Sequence, residues 1–208
     1  AEKHNIKFIN FSKLNKTAKK KNCLLINCVG GEILKKELLK LFSICINYHH
    51  AELPKYRGVN SNGYSLMENK NYTFYTFHYI HPKIDRGYVI FKGKIKKRKN
   101  YHYNSYYDLF KINDASKKIK IILQRALSNK SKRKMASVGG KYYSAKYFKN
   151  IFNNLIDFKW EEINNFIKIF GGFYYKDLFV TEIKKSNSGK QLKDCKIKFL
   201  KVRNLPIE

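Results

Sequence analysis

A basic run that leads directly into tyrosines is the best candidate binding segment of this sequence. It comprises Lys92, Lys94, Lys96, Lys97, Arg98 and Lys99, followed by Tyr101 and Tyr103. Cationic side chains hold phosphates, and an exposed tyrosine ring can stack on an unpaired base, which is worth about 1 to 3 kcal/mol per base. We therefore predict contact with nucleic acid here, the alternative being an ordinary hairpin with core tyrosines and solvated lysines.

Two further stretches carry the same cationic chemistry. One is an N-terminal arm, and the other is a polar, glycine-containing segment after residue 128. Cationic segments of this kind can become ordered against folded RNA, although each could equally be a solvated loop. The candidate side chains are Lys19, Lys20 and Lys21 in the arm, and Lys130, Lys132, Arg133, Lys134 and Lys141 in the segment.

An acidic residue and a lysine share one predicted strand near the C-terminus. Alternation puts Glu182 and Lys184 on the same strand face, after Asp177. A carboxylate at such a position can hold Mg²⁺ while the ammonium group assists an attacking water, as in metal-dependent phosphodiester cleavage. The non-catalytic alternative is an ion pair on a solvated strand face.

This pattern resembles the acidic-x-Lys motif of restriction-endonuclease-like nucleases over a short part of the chain. The resemblance implies a Mg²⁺-dependent nuclease that uses Glu182 and Lys184. In that family the preceding metal-binding Asp lies across a hairpin from the Glu, whereas Asp177 lies on the same predicted strand. Asp157 or Glu161 would have to replace Asp177 in that role.

Histidines and cysteines give only weak metal-ligand spacing. His78 and His81 are close in sequence and Cys45 precedes His49 and His50, but no CxxC half-site accompanies them. We therefore expect no metal site and no cofactor, apart from Mg²⁺ under the nuclease alternative. The four cysteines lie in or beside apolar runs, which favours reduced thiols and an intracellular protein.

The charge balance is extreme for a chain of 208 residues. Lys and Arg number 44 against 15 for Asp and Glu, a formal net charge of +29. A genome rich in A and T would enrich lysine, but it would also enrich Asp and Glu, which are scarce. No stretch approaches the roughly 18 to 20 apolar residues that span a bilayer, so we expect a polyanionic partner and no membrane insertion.

RNA is favoured over duplex DNA as that partner. The chain lacks helix-turn-helix, zinc-finger and basic-zipper spacing. Lysine is far commoner than arginine, and lysine contacts phosphate as a point charge more than it reads base edges.

Hydrophobic periodicity predicts the elements that must position these side chains. Strands are predicted over residues 23–29, 72–80, 87–96, 173–183 and 195–202, and the second and third should form a hairpin. Helices are predicted over residues 32–47, 116–127, 144–157 and 160–170, with a long polar loop over 49–71.

The predicted fold class is α+β or α/β, with short mixed or antiparallel sheets and two to four amphipathic helices. We divide the chain into a basic arm (1–22), an α/β domain with a central hairpin (23–127), a basic linker or loop (128–141) and a helical and β-hairpin region (142–208). The last region is either separate or part of the preceding domain.

The leading functional hypothesis is a non-enzymatic rRNA-binding subunit of a ribosome, including a mitochondrial or other organellar one. Its partners would be rRNA and neighbouring proteins of the ribonucleoprotein. The alternatives are the Mg²⁺-dependent nuclease and a basic viral or chromatin-like packaging protein.

Overall fold

The structure is a computed structural model that describes residues 23–28, 33–68, 71–98, 104–152, 158–175, 178–185 and 197–203. Its strands are β1 (Leu24–Cys28), β2 (Ile44–His49), β3 (Tyr56–Gly58), β4 (Tyr72–Tyr79), β5 (Val89–Lys96), β6 (Lys141–Tyr143), β7 (Phe173–Tyr175), β8 (Leu178–Lys185) and β9 (Ile197–Arg203). Its helices are α1 (Lys36–Leu39), α2 (Ser61–Glu68), α3 (Asn104–Ser128), α4 (Ala145–Asn150) and α5 (Trp160–Phe170), with a 3-10 helix over Lys130–Lys132.

A mixed four-stranded sheet forms the centre of the described chain, in the order β1-β2-β4-β5. β1 and β2 are parallel, whereas β4 pairs antiparallel with both β2 and β5. α3 covers one sheet face, where Ile122 and Ala126 pack against Ile46, Phe77 and Tyr79. This architecture confirms a mixed α/β fold with short sheets and several helices.

An aromatic core lies beside this sheet and joins early and late parts of the chain. β3 runs parallel to β6, and the ring of Tyr64 stacks on that of Tyr143 with centroids 4.0 Å apart. α5 adds Ile163 and Phe166 to the same core, which Phe152 and Val180 complete. A separate antiparallel sheet contains β7, β8 and β9.

Several sequence predictions agree with the observed elements. β1 confirms the first predicted strand, β4 and β5 form the predicted hairpin, and α5 spans the predicted 160–170 helix. α3 contains the helix predicted over 116–127 and begins earlier in the chain.

The helix predicted over 32–47 is wrong. Only Lys36–Leu39 is helical, and Ile44–His49 forms a strand that pairs with neighbours on both sides. Ile44 and Ile46 are buried β-branched residues that alternate with more exposed ones, and pairing with β1 and β4 outweighs the helical spacing.

Other predicted boundaries also need correction. The long polar loop over 49–71 contains β3 and α2, and the predicted 173–183 strand is divided between β7 and β8. The 144–157 helix is α4, which ends at Asn150, and residues 153–157 lie outside the described ranges. Local propensity missed β3 and α2 because contacts with β6 and α5 stabilise them.

The basic segment 128–141 makes specific backbone contacts with the β4–β5 turn. The amide of Tyr88 donates to the Met135 carbonyl at 3.0 Å, and the amide of Ser137 donates to the Arg86 carbonyl at 2.5 Å. The domain boundaries drawn from the sequence stay a prediction. Within the described ranges, no helix combines the length and apolar character that a membrane crossing requires.

Two glycines near this contact allow the cost of a steric clash to be compared with the cost of backbone strain. A Cβ at Gly87 would lie 1.5 Å from the carbonyl oxygen of Tyr79, so the backbone would have to move. Gly139 has open space around it but a φ of +86°. Alanine at this position should therefore destabilise the fold only by the cost of a left-handed backbone, about 1 to 2 kcal/mol. We expect Gly87→Ala to lower the urea midpoint more than Gly139→Ala does. If Gly87→Ala lowered it by the same amount or less, the close contact between Gly87 and Tyr79 would be contradicted.

Candidate functional site

Polar side chains meet where β2 and β4 end and the β4–β5 turn begins. Asn47 on β2 is the cross-strand partner of His78 on β4, and His49 lies two residues further along β2. Asp85 lies in the turn that follows β4, with a φ of +51° that Asp tolerates better than most residues. These four side chains come from separate parts of the sequence and form one cluster.

His49 is a buried imidazole whose tautomer follows from its partners. Its Nε2 lies 2.8 Å from the Tyr56 carbonyl oxygen, which can only accept, so Nε2 carries the proton. Its Nδ1 is then unprotonated and lies 3.6 Å from Oδ2 of Asp85. Burial lowers the pKa of His49, although the Asp85 charge acts in the opposite direction. A neutral imidazole with a free lone pair is a candidate general base.

Asp85 is held in place by the backbone of β3. The amide of Gly58 donates to Asp85 Oδ2 at 2.8 Å, while Oδ1 lies 3.7 Å from Nε2 of His78. Gly58 has a φ of +89°, and a Cβ there would lie 2.3 Å from the Tyr143 carbonyl oxygen. The carboxylate therefore stays beside His49, where it can stabilise an imidazolium ion.

A chain of hydrogen bonds fixes the amide of Asn47. Asn27 Nδ2 donates to Asn47 Oδ1 at 2.7 Å, and Asn47 Nδ2 lies 3.0 Å from His78 Nε2. His78 Nδ1 donates to the carbonyl of Tyr79 at 2.9 Å, so its Nε2 must accept the bond from Asn47. Burial lowers the pKa of His78 to about 4, with the His49 charge acting in the same direction. One N–H of Asn47 is thus committed to His78, and the second can donate to a substrate oxygen.

Two arginines connect the site to the basic segment. Arg57 donates to the Gly140 carbonyl at 2.9 Å, and Arg86 donates to the carbonyls of Ser137 and Gly139 at 3.1 and 3.2 Å. These bonds hold residues 137–140 beside the turn that carries Asp85. Base, carboxylate and amide N–H together suit acyl transfer to a nucleophile that must lose a proton.

Three of the predicted nucleic-acid contacts share a sheet face with His49. Residues paired across strands point to the same face, and the pairs His49–Thr76 and Thr76–Lys92 run across β2, β4 and β5. Lys94 and Lys96 alternate along the same face of β5, and all three lysines are exposed. Lys92 donates to Glu52 at 2.8 Å, and the ammonium group of Lys94 lies 3.7 Å from the ring centroid of Tyr72.

Other predicted contacts are occupied within the protein. Lys97 donates to the Leu66 carbonyl, Arg98 lies over the Phe110 ring, Lys132 donates to the Tyr88 hydroxyl, Arg133 donates to the Leu127 carbonyl, and Lys141 lies over the rings of Tyr143 and Tyr147. Lys130 and Lys134 are exposed. The predicted residues Lys19, Lys20, Lys21, Lys99, Tyr101, Tyr103 and Asp177 lie outside the described ranges.

The Glu182 and Lys184 positions lie on β8, which belongs to a different sheet from the β2 and β4 strands that carry Asn47, His49 and His78. They pair with Lys201 and Lys198 of β9, and the register shifts on both sides of Glu182. The regular alternation assumed for the acidic-x-Lys motif is therefore interrupted. Within the described ranges, no group of three or more His, Cys, Asp or Glu side chains is arranged so that it could hold a metal ion.

The sequence pattern drew attention to the histidines of the cluster only for their weak metal-ligand spacing, and it gave none of the four cluster residues a catalytic role. Asp85 falls between the two strands of the predicted hairpin, and Asn47 is the last residue of the predicted 32–47 helix. The sequence feature that could have indicated this site is a set of polar residues at the ends of two segments rich in apolar, strand-forming residues.

Comparisons with known proteins identify a family. The family model described as formyl transferase matches residues 12–122, more than half of the chain. The methionyl-tRNA formyltransferase of Borrelia garinii is 34% identical over 83 residues, which cover 39% of this chain and 25% of that protein. The chain therefore spans about a quarter of the length of this curated relative.

Solved structures agree in fold. An N-formyltransferase from Helicobacter canadensis, in complex with folinic acid and dTDP-3-aminofucose, has a TM-score of 0.59 and 19% identity, covering 90% of this chain and 70% of that chain. The methionyl-tRNA formyltransferase from Clostridium thermocellum has a TM-score of 0.55 and 17% identity, covering 93% and 85%. At these identities the likeness concerns the fold alone.

The prediction of a structural rRNA-binding ribosomal subunit is wrong, because the family match and the named relatives are formyltransferases. The ribosomal and mitochondrial locations and the ribonucleoprotein partners lose their support with it, as do the nuclease and packaging alternatives. The error is physical in origin, since a cationic surplus indicates a polyanionic partner but not the reaction carried out on it.

The buried state of His78 has a consequence for stability. Between about pH 6.5 and pH 4 the unfolded chain binds a proton at this histidine that the folded chain does not. The free energy of unfolding should therefore fall as the pH falls through this window, by on the order of 3 kcal/mol from His78, and this contribution should be constant below pH 4. Urea denaturation at pH 7 and pH 4.5 measures the loss. The His78→Gln variant can still accept a hydrogen bond from Asn47, and its free energy of unfolding should fall less between these two pH values than that of the wild-type chain. An equal fall in both proteins would contradict the assignment of this pH dependence to His78.

Proposed function

Because the chain belongs to the formyl transferase family, we propose that it transfers a formyl group to a primary amine at the site formed by Asn47, His49 and Asp85. The observation that carries this proposal is the unprotonated Nδ1 of buried His49, which faces Asp85 beside the amide of Asn47. A protonated amine cannot attack a carbonyl carbon, and a neutral one must lose a proton as it does so. The site supplies an acceptor for that proton and a donor for the developing charge.

His49 takes up the amine proton at Nδ1 as the new carbon–nitrogen bond forms. Asp85 stabilises the resulting imidazolium ion through its charge, because its Oδ2 lies 3.6 Å from that nitrogen. The free N–H of Asn47 donates to the formyl oxygen, where negative charge develops. When the bond between the formyl carbon and the donor nitrogen breaks, His49 returns the proton to the departing nitrogen, so that atoms and charges balance.

The formyl donor that we propose is a formylated reduced folate. This choice is supported by the Helicobacter canadensis N-formyltransferase, which was solved with folinic acid. Such a donor supplies a formyl group already bonded to nitrogen. The free N–H of Asn47 fits its carbonyl oxygen, and the Nδ1 side of His49 fits the amine that receives the group.

The acceptor that we propose is an aminoacyl-tRNA. The relatives named methionyl-tRNA formyltransferase support it, as do the +29 net charge and the lysines of β5. Lys92, Lys94 and Lys96 lie on the sheet face of His49, so a phosphate backbone along β5 would lead toward the base. A nucleotide-linked amino sugar, such as the ligand of the Helicobacter canadensis enzyme, has far fewer phosphates to engage this row.

Substitution of the base and of the amide donor tests the chemistry. With the 208-residue chain, a formylated tetrahydrofolate and an amine acceptor, His49→Gln should lower kcat about 100- to 10,000-fold because the proton acceptor is lost. Asn47→Ala should lower it about 100- to 1,000-fold.

His81→Gln is the matched control and should leave kcat near the wild-type value. Its ring lies after β4 and accepts from the Lys83 amide. The proposal fails if the folded wild-type chain transfers no formyl group, or if His49→Gln retains the full rate.

A triple Lys92→Gln, Lys94→Gln and Lys96→Gln variant tests the acceptor. We expect KM for aminoacyl-tRNA to rise at least about tenfold at low salt, and the slope of log affinity against log salt to become shallower by about 0.7 to 0.9 per lost phosphate contact. kcat at saturating tRNA should change little.

Lys35→Gln, Lys36→Gln and Lys40→Gln, in and beside α1, remove the same charge from exposed positions and serve as the control. Equal effects of the two triple variants would mean that only total charge matters. An unchanged KM in the β5 variant, together with efficient formylation of a nucleotide-linked amino sugar, would identify the sugar class as acceptor instead of tRNA.

A further inference from the structure

A buried lysine behind the site has no part in the chemistry proposed above. Lys111 lies on the inward face of α3 and is fully buried. Its ammonium group donates to the His50 carbonyl oxygen at 2.5 Å and to the side-chain oxygen of Asn62. In the described part of the chain, no carboxylate forms an ion pair with it. A buried cation satisfied only by neutral acceptors is unfavourable unless its position is needed.

Both acceptors belong to segments that hold His49. The His50 carbonyl directly follows His49 in the chain, and Asn62 directly follows Ser61, whose hydroxyl oxygen lies 3.2 Å from His49 Nε2. Lys111 therefore links the end of β2 to the start of α2, and the imidazole lies between them.

Asp108 completes the network around Lys111 without pairing with it. Its Oδ1 accepts from Asn62 Nδ2 at 2.9 Å and lies 3.0 Å from His50 Nδ1. The carboxylate thus orients the Asn62 amide, whose oxygen accepts one lysine bond, and the ring of His50, whose backbone carbonyl accepts the other. The Asp108 carboxylate therefore balances the lysine charge without contacting it, and the electric field of the lysine extends to the imidazole of His49.

We propose that Lys111 is a positioning residue for His49, whose ammonium group fixes the segments on both sides of the imidazole and whose charge opposes protonation of that imidazole. This inference rests on the proposed role of His49 as the base in formyl transfer. Lys111 touches neither reacting group and acts only through the position and protonation of His49.

The charged and titratable groups around His49 act in different directions. Asp85 favours the imidazolium ion and raises the pKa of His49, whereas His50 and Lys111 lower it, and His78 lies with its ring centroid 6.3 Å away. Burial lowers the pKa of Lys111 to about 7, with the Asp108 charge opposing that shift. As the pH falls, Lys111 therefore gains its proton before His49 does, and the new charge keeps the base neutral in mildly acidic solution.

Two variants separate the charge of Lys111 from its hydrogen bonds. Lys111→Met removes both, whereas Lys111→Gln retains a neutral donor. NMR titration of histidine-labelled full chain gives the pKa of His49 without turnover, and the pH profile of kcat gives its acid limb. Lys118→Met on the same helix is the control, because Lys118 is half-buried and pairs with Asp114 at 2.8 Å.

We expect both Lys111 variants to raise the pKa of His49 and to move the acid limb of kcat to higher pH, so that activity at pH 6 falls several-fold relative to pH 8. Lys111→Met should also lose several-fold in kcat at pH 8, where Lys111→Gln should retain more. Lys118→Met should change neither the pKa of His49 nor the acid limb of kcat.

An unchanged His49 titration in folded Lys111→Gln would overturn the proposed role of the charge. That result would leave formyl transfer intact, because the His49→Gln experiment tests it separately. If instead the His49 pKa rises in a chain that transfers no formyl group, the inference about Lys111 holds and the proposed function fails. If Lys111→Met does not fold, Lys111→Gln alone decides the outcome.

Discussion

The hydrogen bond from His49 to the carbonyl of Tyr56 is the constraint on which the rest of the site depends. It commits Nε2 as a donor and therefore leaves the lone pair on Nδ1, the nitrogen that faces Asp85. Without that bond the buried ring could adopt the other tautomer and present an N–H to the carboxylate, which would remove the base. β3 supplies both this carbonyl and the Gly58 amide that holds Asp85, so one short strand sets the tautomer and the position of the counter-ion.

The remaining polar groups are arranged so that a low-dielectric environment preserves the neutral tautomer of His49 with its lone pair on Nδ1. The bonds from Asn27 through Asn47 and His78 to the Tyr79 carbonyl run in one direction and involve neutral donors and acceptors. Burial that would be costly for an unpaired polar group instead orders the Asn47 amide, because its oxygen and one of its N–H groups have partners. The same burial keeps His78 uncharged and prevents it from competing with His49 for the Asp85 carboxylate.

Sequence patterns revealed those parts of the fold whose residues satisfy local and tertiary requirements together. β4 and β5 are rich in Tyr, Phe, Thr and Ile and pair with each other, so the hairpin was predictable. β2 was not, because its isoleucines also fit a helical stripe and only pairing with β1 and β4 selects the strand. The site was harder still, since Asn47, His49 and Asp85 become neighbours only when β2 meets the turn after β4, and no short motif records that contact.

Charge misled the sequence interpretation because the cations and the reacting groups occupy different environments. The lysines of β5 are exposed and interact with solvent or a partner at high dielectric, where their attraction for phosphate is long-ranged but screened by salt. Asn47, His49, His78 and Asp85 are mostly buried, and specific hydrogen bonds control their behaviour. A surplus of surface cations can therefore bring a polyanion to the protein without affecting what happens at the base. Lys111 is the exception, because it is a buried cation bonded to the segments beside His49, and there a single charge acts on the position and protonation of the base.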